Sequence, residues 1–307
     1  MASNPTIRRS APGAAYSLVL LLILAGLLSG CGASSSSAAA TATPKPGFKG
    51  TVTMFPIVPA TDKLPAYITA GPDGSLWFTE NLTNTVGRIT PTGTITEFPL
   101  PPPERKPFGI TTGPDGNLWF TEPGDNQIGR LTPSGVLSEF HIPTRASVPD
   151  EIVTGPDGAL WFTEQSASQI GRITPTGRIS EFRLTPRSGP RGITVGPDGN
   201  LWFTEVTGDQ IGRITPAGTV SEFPVNDSTR YLQDITAGPD GNLWFTEITS
   251  GQIGRITPTH HSQRDRYPIP SLQSGGGLPG GITAGPDGAL WFTGEGKDGN
   301  AAIGRLT

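Results

Sequence analysis

The segment Gly-Pro-Asp-Gly-x-Leu-Trp-Phe-Thr occurs six times, starting at Gly71, Gly113, Gly155, Gly196, Gly238 and Gly285. Successive starts lie 42, 42, 41, 42 and 47 residues apart, and all six tryptophans fall inside the copies, one in each. A fixed period of this length marks an array of equal units, none of which can bury its apolar faces alone. The copies also align the chain with itself. Columns that stay constant build the scaffold, and columns that vary are where a site can sit.

One unit reads as four short strands. Ile68 to Ala70 is a β-like run, and Gly71 to Gly74 a tight turn in which proline presets φ and glycine accepts positive φ. Leu76 to Thr79, Val86 to Thr90 and Thr94 to Phe98 supply three more runs, with Pro91-Thr-Gly93 turning the chain between the last two. Four antiparallel strands per unit of about 42 residues describe a β-propeller blade, and no segment carries sustained helical periodicity. The expected fold is all-β, a six-bladed β-propeller of four-stranded antiparallel blades. The last unit stops at Ile303-Gly-Arg-Leu-Thr307, whereas Thr51-Val-Thr-Met-Phe55 resembles Thr94-Ile-Thr-Glu-Phe98. The last blade is therefore expected to be closed by the N-terminal strand, which removes two open edges.

Residues 1–30 read as a lipoprotein signal peptide. Arg8 and Arg9 precede the apolar run Leu18 to Leu28, and Leu28-Ser-Gly-Cys31 has the form of a lipobox. Cys31 is the only cysteine, which excludes an intrachain disulfide and makes it the expected lipidation site. Residues 31–50 are a Ser/Ala/Thr/Pro tether, and residues 51–307 form the propeller. The expected location is extracytoplasmic, on a membrane, through the lipid anchor. Without Arg8 and Arg9 the chain has 20 basic against 26 acidic residues, which argues against nucleic acid as a partner. A monomer is expected.

The turns Gly-Pro-Asp-Gly and Thr-Pro-x-Gly, on one face of the ring, are nearly uniform. The loops between second and third strands, and the linkers between blades, vary widely on the other face. Function favours variable loops over a rigid frame, so the site is placed there, at the channel mouth. The residue two before each first-strand isoleucine should face the axis: Ala66, Phe108, Asp150, Arg191, Gln233 and Gly280. Phe108, Asp150, Arg191 and Gln233 are the candidate ligand-binding residues. A small molecule, glycan or peptide is the expected partner. A glutamate ends the Trp-Phe-Thr run in five copies: Glu80, Glu122, Glu164, Glu205 and Glu247. Two readings are open. These can pair across the ladder with the third-strand arginines Arg88, Arg130, Arg172, Arg213 and Arg255, or they can be ligands for a hard cation such as Mg²⁺.

The repeat Gly-Ile-Thr-x-Gly-Pro-Asp-Gly-x-Leu-Trp-Phe-Thr-Glu followed by Ile-Gly-Arg-Ile-Thr-Pro-x-Gly resembles the virginiamycin B lyase (streptogramin B lyase) family over residues 51–307. The resemblance implies seven blades, one more than the copies here. It also implies Mg²⁺-assisted elimination at an ester, which linearises a cyclic depsipeptide antibiotic and so confers resistance. It places histidines just before the first strand of two successive repeats, but the matching residues are Ala66, Phe108, Asp150, Arg191, Gln233 and Gly280. It places metal glutamates two residues before such a histidine and at the end of a Trp-Phe strand. The second type is met by the five glutamates. The first is not, since Leu64, Lys106, Val148, Gly189, Tyr231 and Leu278 stand there. His141, His260 and His261 lie elsewhere and read as solvated loop residues. Two functions follow: a lipid-anchored ligand-binding module, or a divergent Mg²⁺-dependent carbon–oxygen lyase in which Asp150 is the candidate base. Whether the chain is an enzyme stays open at this point.

Overall fold

The computed structural model describes residues 41–42, 52–53, 55–57, 65–225, 231–259, 264–269, 278–295 and 301–307. The signal peptide, Cys31, most of the tether, His260 and His261 lie outside the described residues. Among the described residues no helix is long and apolar enough to cross a membrane.

The protein is a six-bladed β-propeller. Blade 1 consists of Pro65–Ala70, Leu76–Glu80, Thr85–Ile89 and Ile95–Pro99. The first strands of blades 2 to 6 are Ile110–Thr112, Pro149–Thr154, Pro190–Val195, Leu232–Ala237 and Pro279–Ala284. Each pairs with the following Leu-Trp-Phe-Thr strand, and every ladder between successive strands of a blade is antiparallel. First strands of successive blades pack side by side around the axis from blade 1 through blade 6. Blades 1 to 5 have four strands, and among the described residues the sheet of the sixth has three, ending on Ala301–Leu306.

The turn that opens each second strand is also its clamp. Asp73 Oδ1 accepts the Trp77 indole N–H at 3.1 Å, and its Oδ2 accepts Arg88 Nε at 2.5 Å. The Arg88 guanidinium lies 5.9 Å from the Trp77 ring centroid, within cation–π range. The equivalent aspartate–arginine pairs form at Asp157–Arg172, Asp198–Arg213, Asp240–Arg255 and Asp287–Arg305. This corrects the ladder pairing expected of the glutamates. Register puts each arginine opposite the tryptophan rather than the glutamate. The turn aspartate therefore reaches the arginine first.

The threonine of each Trp-Phe-Thr run ties one blade to the next. Thr79, Thr121, Thr163, Thr204 and Thr246 donate their hydroxyls to the carbonyls of Phe108, Asp150, Arg191, Gln233 and Gly280, at 2.6, 2.6, 2.8, 3.1 and 2.9 Å. Apolar clusters seal the same five joints. Between blades 1 and 2, for example, Trp77, Val86 and Leu100 pack on Ile110, Leu118 and Phe120. Matching clusters lie between blades 2 and 3, 3 and 4, 4 and 5, and 5 and 6.

The sixth joint, between blades 6 and 1, is different. Ile68 and Leu76 on the blade 1 side are 61% and 46% exposed, and Ile303 on the blade 6 side is 72% exposed. Their equivalents elsewhere, such as Ile193, Leu201 and Ile211, are 0–3% exposed. Thr293 accepts Gly281 N–H at 3.0 Å but donates to no following blade among the described residues. Among the described residues, Val52–Thr53 pairs antiparallel with Thr41–Ala42. Phe55 nevertheless keeps the place of an outer-strand aromatic. A Cβ at Gly93 would lie 2.1 Å from its ring, as a Cβ at Gly177 or Gly218 would lie 2.2 Å from Phe140 or Phe182 of the preceding blade.

Candidate functional site

The first strands carry a β-bulge between Pro149 and Ile152, and at the matching places in blades 1, 4, 5 and 6. Two residues then oppose one on the partner strand, and the strict alternation of faces is lost. Beside the column predicted to face the axis, a second one therefore turns inward: Tyr67, Gly109, Glu151, Gly192, Asp234 and Gly281. Side chains in blades 1, 3 and 5 alternate here with glycines in blades 2, 4 and 6. The glycines give clearance. A Cβ at Gly109 would lie 2.6 Å from the Asp150 carbonyl oxygen, and one at Gly192 would lie 2.8 Å from Asp234 Cα.

Across this clearance the acids reach the next blade. Glu151 Oε2 accepts the Ile193 N–H at 3.0 Å, and Asp234 Oδ2 accepts the Ile282 N–H at 2.7 Å. Glu151 Oε1 accepts the hydroxyl of Tyr67, which comes from blade 1. Asp234 Oδ1 accepts its neighbour's N–H, from Ile235, at 2.7 Å. The Tyr67 ring meets Phe108 edge to face, with centroids 4.9 Å apart. The axial end thus has an aromatic side, Tyr67 and Phe108, and a charged side, Asp150, Glu151, Arg191, Gln233 and Asp234. Small residues, Ala66, Gly280 and Gly281, stand at the open joint.

The predicted binding residues Asp150, Arg191 and Gln233 sit on these bulged strand starts, and Phe108 lies two residues before the first strand of blade 2. Arg191 donates through NH1 to Gln233 Oε1 at 2.8 Å. Its Nε stands 3.8 Å from Asp150 Oδ2, beyond hydrogen-bond length. Asp150 Oδ1 and Arg191 Nε are both buried and without a partner. Burial raises the Asp150 carboxyl, and Arg191 opposes that rise. Burial, then Asp234 and Asp150, push Glu151 well up against the bonds from Tyr67 and Ile193. Burial lifts Asp234 to about 6 despite its two N–H bonds. The Tyr67 hydroxyl is raised well above 10 by burial and then by Glu151, Asp150 and Asp234. Asp150, the candidate base, therefore sits beside a guanidinium in a group of acids. Tyr67, Glu151 and Asp234 were missed by counting from the isoleucines. The signal was the column next door, where side chains in odd blades alternate with glycines in even ones.

The five glutamates do not gather. Each is fully buried in its own blade. Arg105 approaches Glu122 at 3.6 Å, Thr83 donates to Glu80 at 2.7 Å, and Ser250 and Arg266 donate to Glu247 at 2.8 and 3.2 Å. Burial pushes Glu122, Glu164 and Glu205 up to about 8, and Glu139, Glu181 and Glu222 push the same way. Among the described residues no three His, Cys, Asp or Glu side chains lie together as metal ligands. The axial acids spend their oxygens on Tyr67 and on backbone N–H groups, apart from Asp150. These residues do not make a site for the Mg²⁺ that the resemblance implies, and no chemistry is routed through it. His141 is exposed on an outer strand and contacts Gln127 at 3.0 Å.

Comparison with known proteins agrees with this architecture. The pattern of the Virginiamycin B lyase family matches residues 38–297. The crystal structure of virginiamycin B lyase from Staphylococcus aureus is 42% identical, with 84% of each chain covered and a TM-score of 0.76. A catalytically inactive variant of that enzyme, solved with quinupristin, matches with the same values. A streptogramin B lyase structure is 36% identical over 80% of this chain and 84% of the other, with a TM-score of 0.72. No curated protein sequence matches the chain.

Proposed function

Since the chain belongs to the virginiamycin B lyase family, we propose that it is a ligand-binding member, taking a small peptide-like molecule at the axial end of its first strands. The observation that carries this reading is the pair Asp150 Oδ1 and Arg191 Nε. An acceptor and a donor, both buried and both unpartnered, stand side by side on adjoining blades. Leaving such groups unmade costs on the order of 1–3 kcal/mol each. An amide group of a ligand satisfies both, its N–H donating to Asp150 Oδ1 and its carbonyl accepting from Arg191 Nε. The relative solved with quinupristin makes that antibiotic the first ligand to try.

The elimination chemistry of the family is not part of the proposal. The columns where histidine is expected hold Ala66, Phe108, Asp150, Arg191, Gln233 and Gly280, and the magnesium fit fails. The proposal also includes an extracytoplasmic place, with the propeller tethered to a membrane through lipidated Cys31. Radiolabelled fatty acid incorporated by the parent and not by C31S is the expected result for that part.

Binding is tested by titration calorimetry of the purified chain with quinupristin, alongside chromatography of the recovered antibiotic. Saturable binding that weakens at least tenfold in both D150N and R191A supports the reading. Binding indifferent to both substitutions, or no binding, overturns it. Mg²⁺-dependent ring opening would return the chain to the lyases.

A further inference from the structure

We propose that the axial site selects for positive charge, its fitted ligand carrying a protonated amine on an apolar or aromatic body. The inference rests on the binding reading above and adds the chemical class of the ligand.

Three carboxyl groups, Asp150, Glu151 and Asp234, and one guanidinium, Arg191, stand at the starts of the first strands of blades 3, 4 and 5, with Arg191 Nε 3.8 Å from Asp150 Oδ2. The electrostatic reach among them is mutual. Asp234 and Asp150 both act on Glu151, and all three acids act on Tyr67. Acid exceeds base, and water is largely excluded, since Asp150 is 8% and Glu151 7% exposed. A buried excess of one sign is relieved by a proton or by a counter-charge.

The hydrogen bonds show where that counter-charge goes. Glu151 has used both oxygens, on Tyr67 and Ile193. Asp234 has used both, on Ile235 and Ile282. Arg191 spends NH1 on Gln233 and leaves Asp150 unbonded. Asp150 Oδ1 alone is buried and open. An ammonium N–H donated to it makes a charge-assisted bond, about twice as strong as a neutral one. The Tyr67 and Phe108 rings supply the aromatic surface that favours a cation beside it. Ala66, Gly280 and Gly281 leave room for the body of the molecule.

The test uses three probes with the same ring and chain length: 3-phenylpropylammonium, 3-phenylpropanol and 3-phenylpropanoate. Their affinities for the purified chain are measured by NMR titration at pH 7.5 and pH 5. The ammonium should bind at least tenfold more tightly than the alcohol, and the carboxylate least. That preference should shrink severalfold in D150N, with unchanged thermal unfolding as the fold control. It should also shrink at pH 5. There Asp234, which titrates at about 6 and faces Asp150, Glu151, Arg191 and Tyr67, has taken a proton. Equal binding of alcohol and ammonium, or tighter binding of the carboxylate, overturns the inference and leaves the binding reading standing. So does quinupristin binding with all three probes silent. Failure of quinupristin and of every probe overturns both.

Discussion

The hydroxyl of Tyr67, in the first blade, donates to Glu151, in the third, so one hydrogen bond spans the second blade across the axis. The same carboxyl caps the Ile193 N–H of the fourth blade. Removing it strands a buried hydroxyl and a buried N–H. E151A should lower stability by about 2–6 kcal/mol, on the basis of roughly 1–3 kcal/mol for each unsatisfied group. E151Q, which keeps one acceptor, should cost about half as much. Urea unfolding separates the two, and equal costs would show that the carboxyl acts only by filling space.

The threonine latches give an internally controlled test. Thr204 both accepts from Gly192 N–H at 2.9 Å and donates to Gln233 O at 3.1 Å, whereas among the described residues Thr293 only accepts. T204V should destabilise by about 1–3 kcal/mol, and T293V by about half of that or less. Similar losses in the two variants would contradict the difference between a made and an unmade joint.

A second pair reads the same difference through packing. Ile211 is fully buried and Ile303 is 72% exposed, although they hold the same place in their repeats. I211A should cost about 2–5 kcal/mol and I303A under about 0.5 kcal/mol. A comparable cost at Ile303 would mean that the joint between blades 6 and 1 is sealed in solution.

Stability should fall as pH rises through the neutral range. Glu205 is held at about 8 against an ordinary 4.5 by burial and then by Glu222, so between these values the folded chain keeps a proton that the unfolded chain has lost. The native state is therefore favoured below 4.5, loses that advantage steadily towards 8, and is flat above. E205Q should remove up to about 1.4 kcal/mol per pH unit from the slope and raise the unfolding temperature at pH 8. Thermal scans from pH 5 to 9 check this, and an unchanged slope would place the proton elsewhere.

The repeat made the blades legible because the same four residue types recur in every copy: the turn aspartate, the tryptophan above it, the latch threonine and the third-strand arginine. Asp150, Arg191, Gln233 and Phe108 were legible as a column that fails to repeat. Glu151, Asp234 and Tyr67 were not, because the bulge before Ile152 breaks the two-residue count on which facing was judged. The partner of the arginines was misjudged for a related reason. Neighbouring strands do not decide the pairing when a turn carboxyl three residues before the strand stands nearer, as Asp73 does to Arg88. The closing strand was judged from the likeness of Thr51–Phe55 to Thr94–Phe98. That likeness placed Phe55 on Gly93, where the outer-strand aromatics of other blades lie on the next blade's turn glycine.

A sealed circle of blades has no ends, so releasing any blade means parting two contacts. Here, among the described residues, blades 1 and 6 are each held by one apolar cluster, and Ile68, Leu76 and Ile303 are exposed. Energetically the molecule is closer to a linear array of repeats, in which terminal units fray before central ones. Amide exchange should therefore run fastest in the first and last blades and slowest in the third and fourth. The bond from Tyr67 to Glu151 ties one fraying end to the middle of the array, at the place where a ligand would sit. Occupancy at the axis would then be felt as slower exchange at the chain's own first blade.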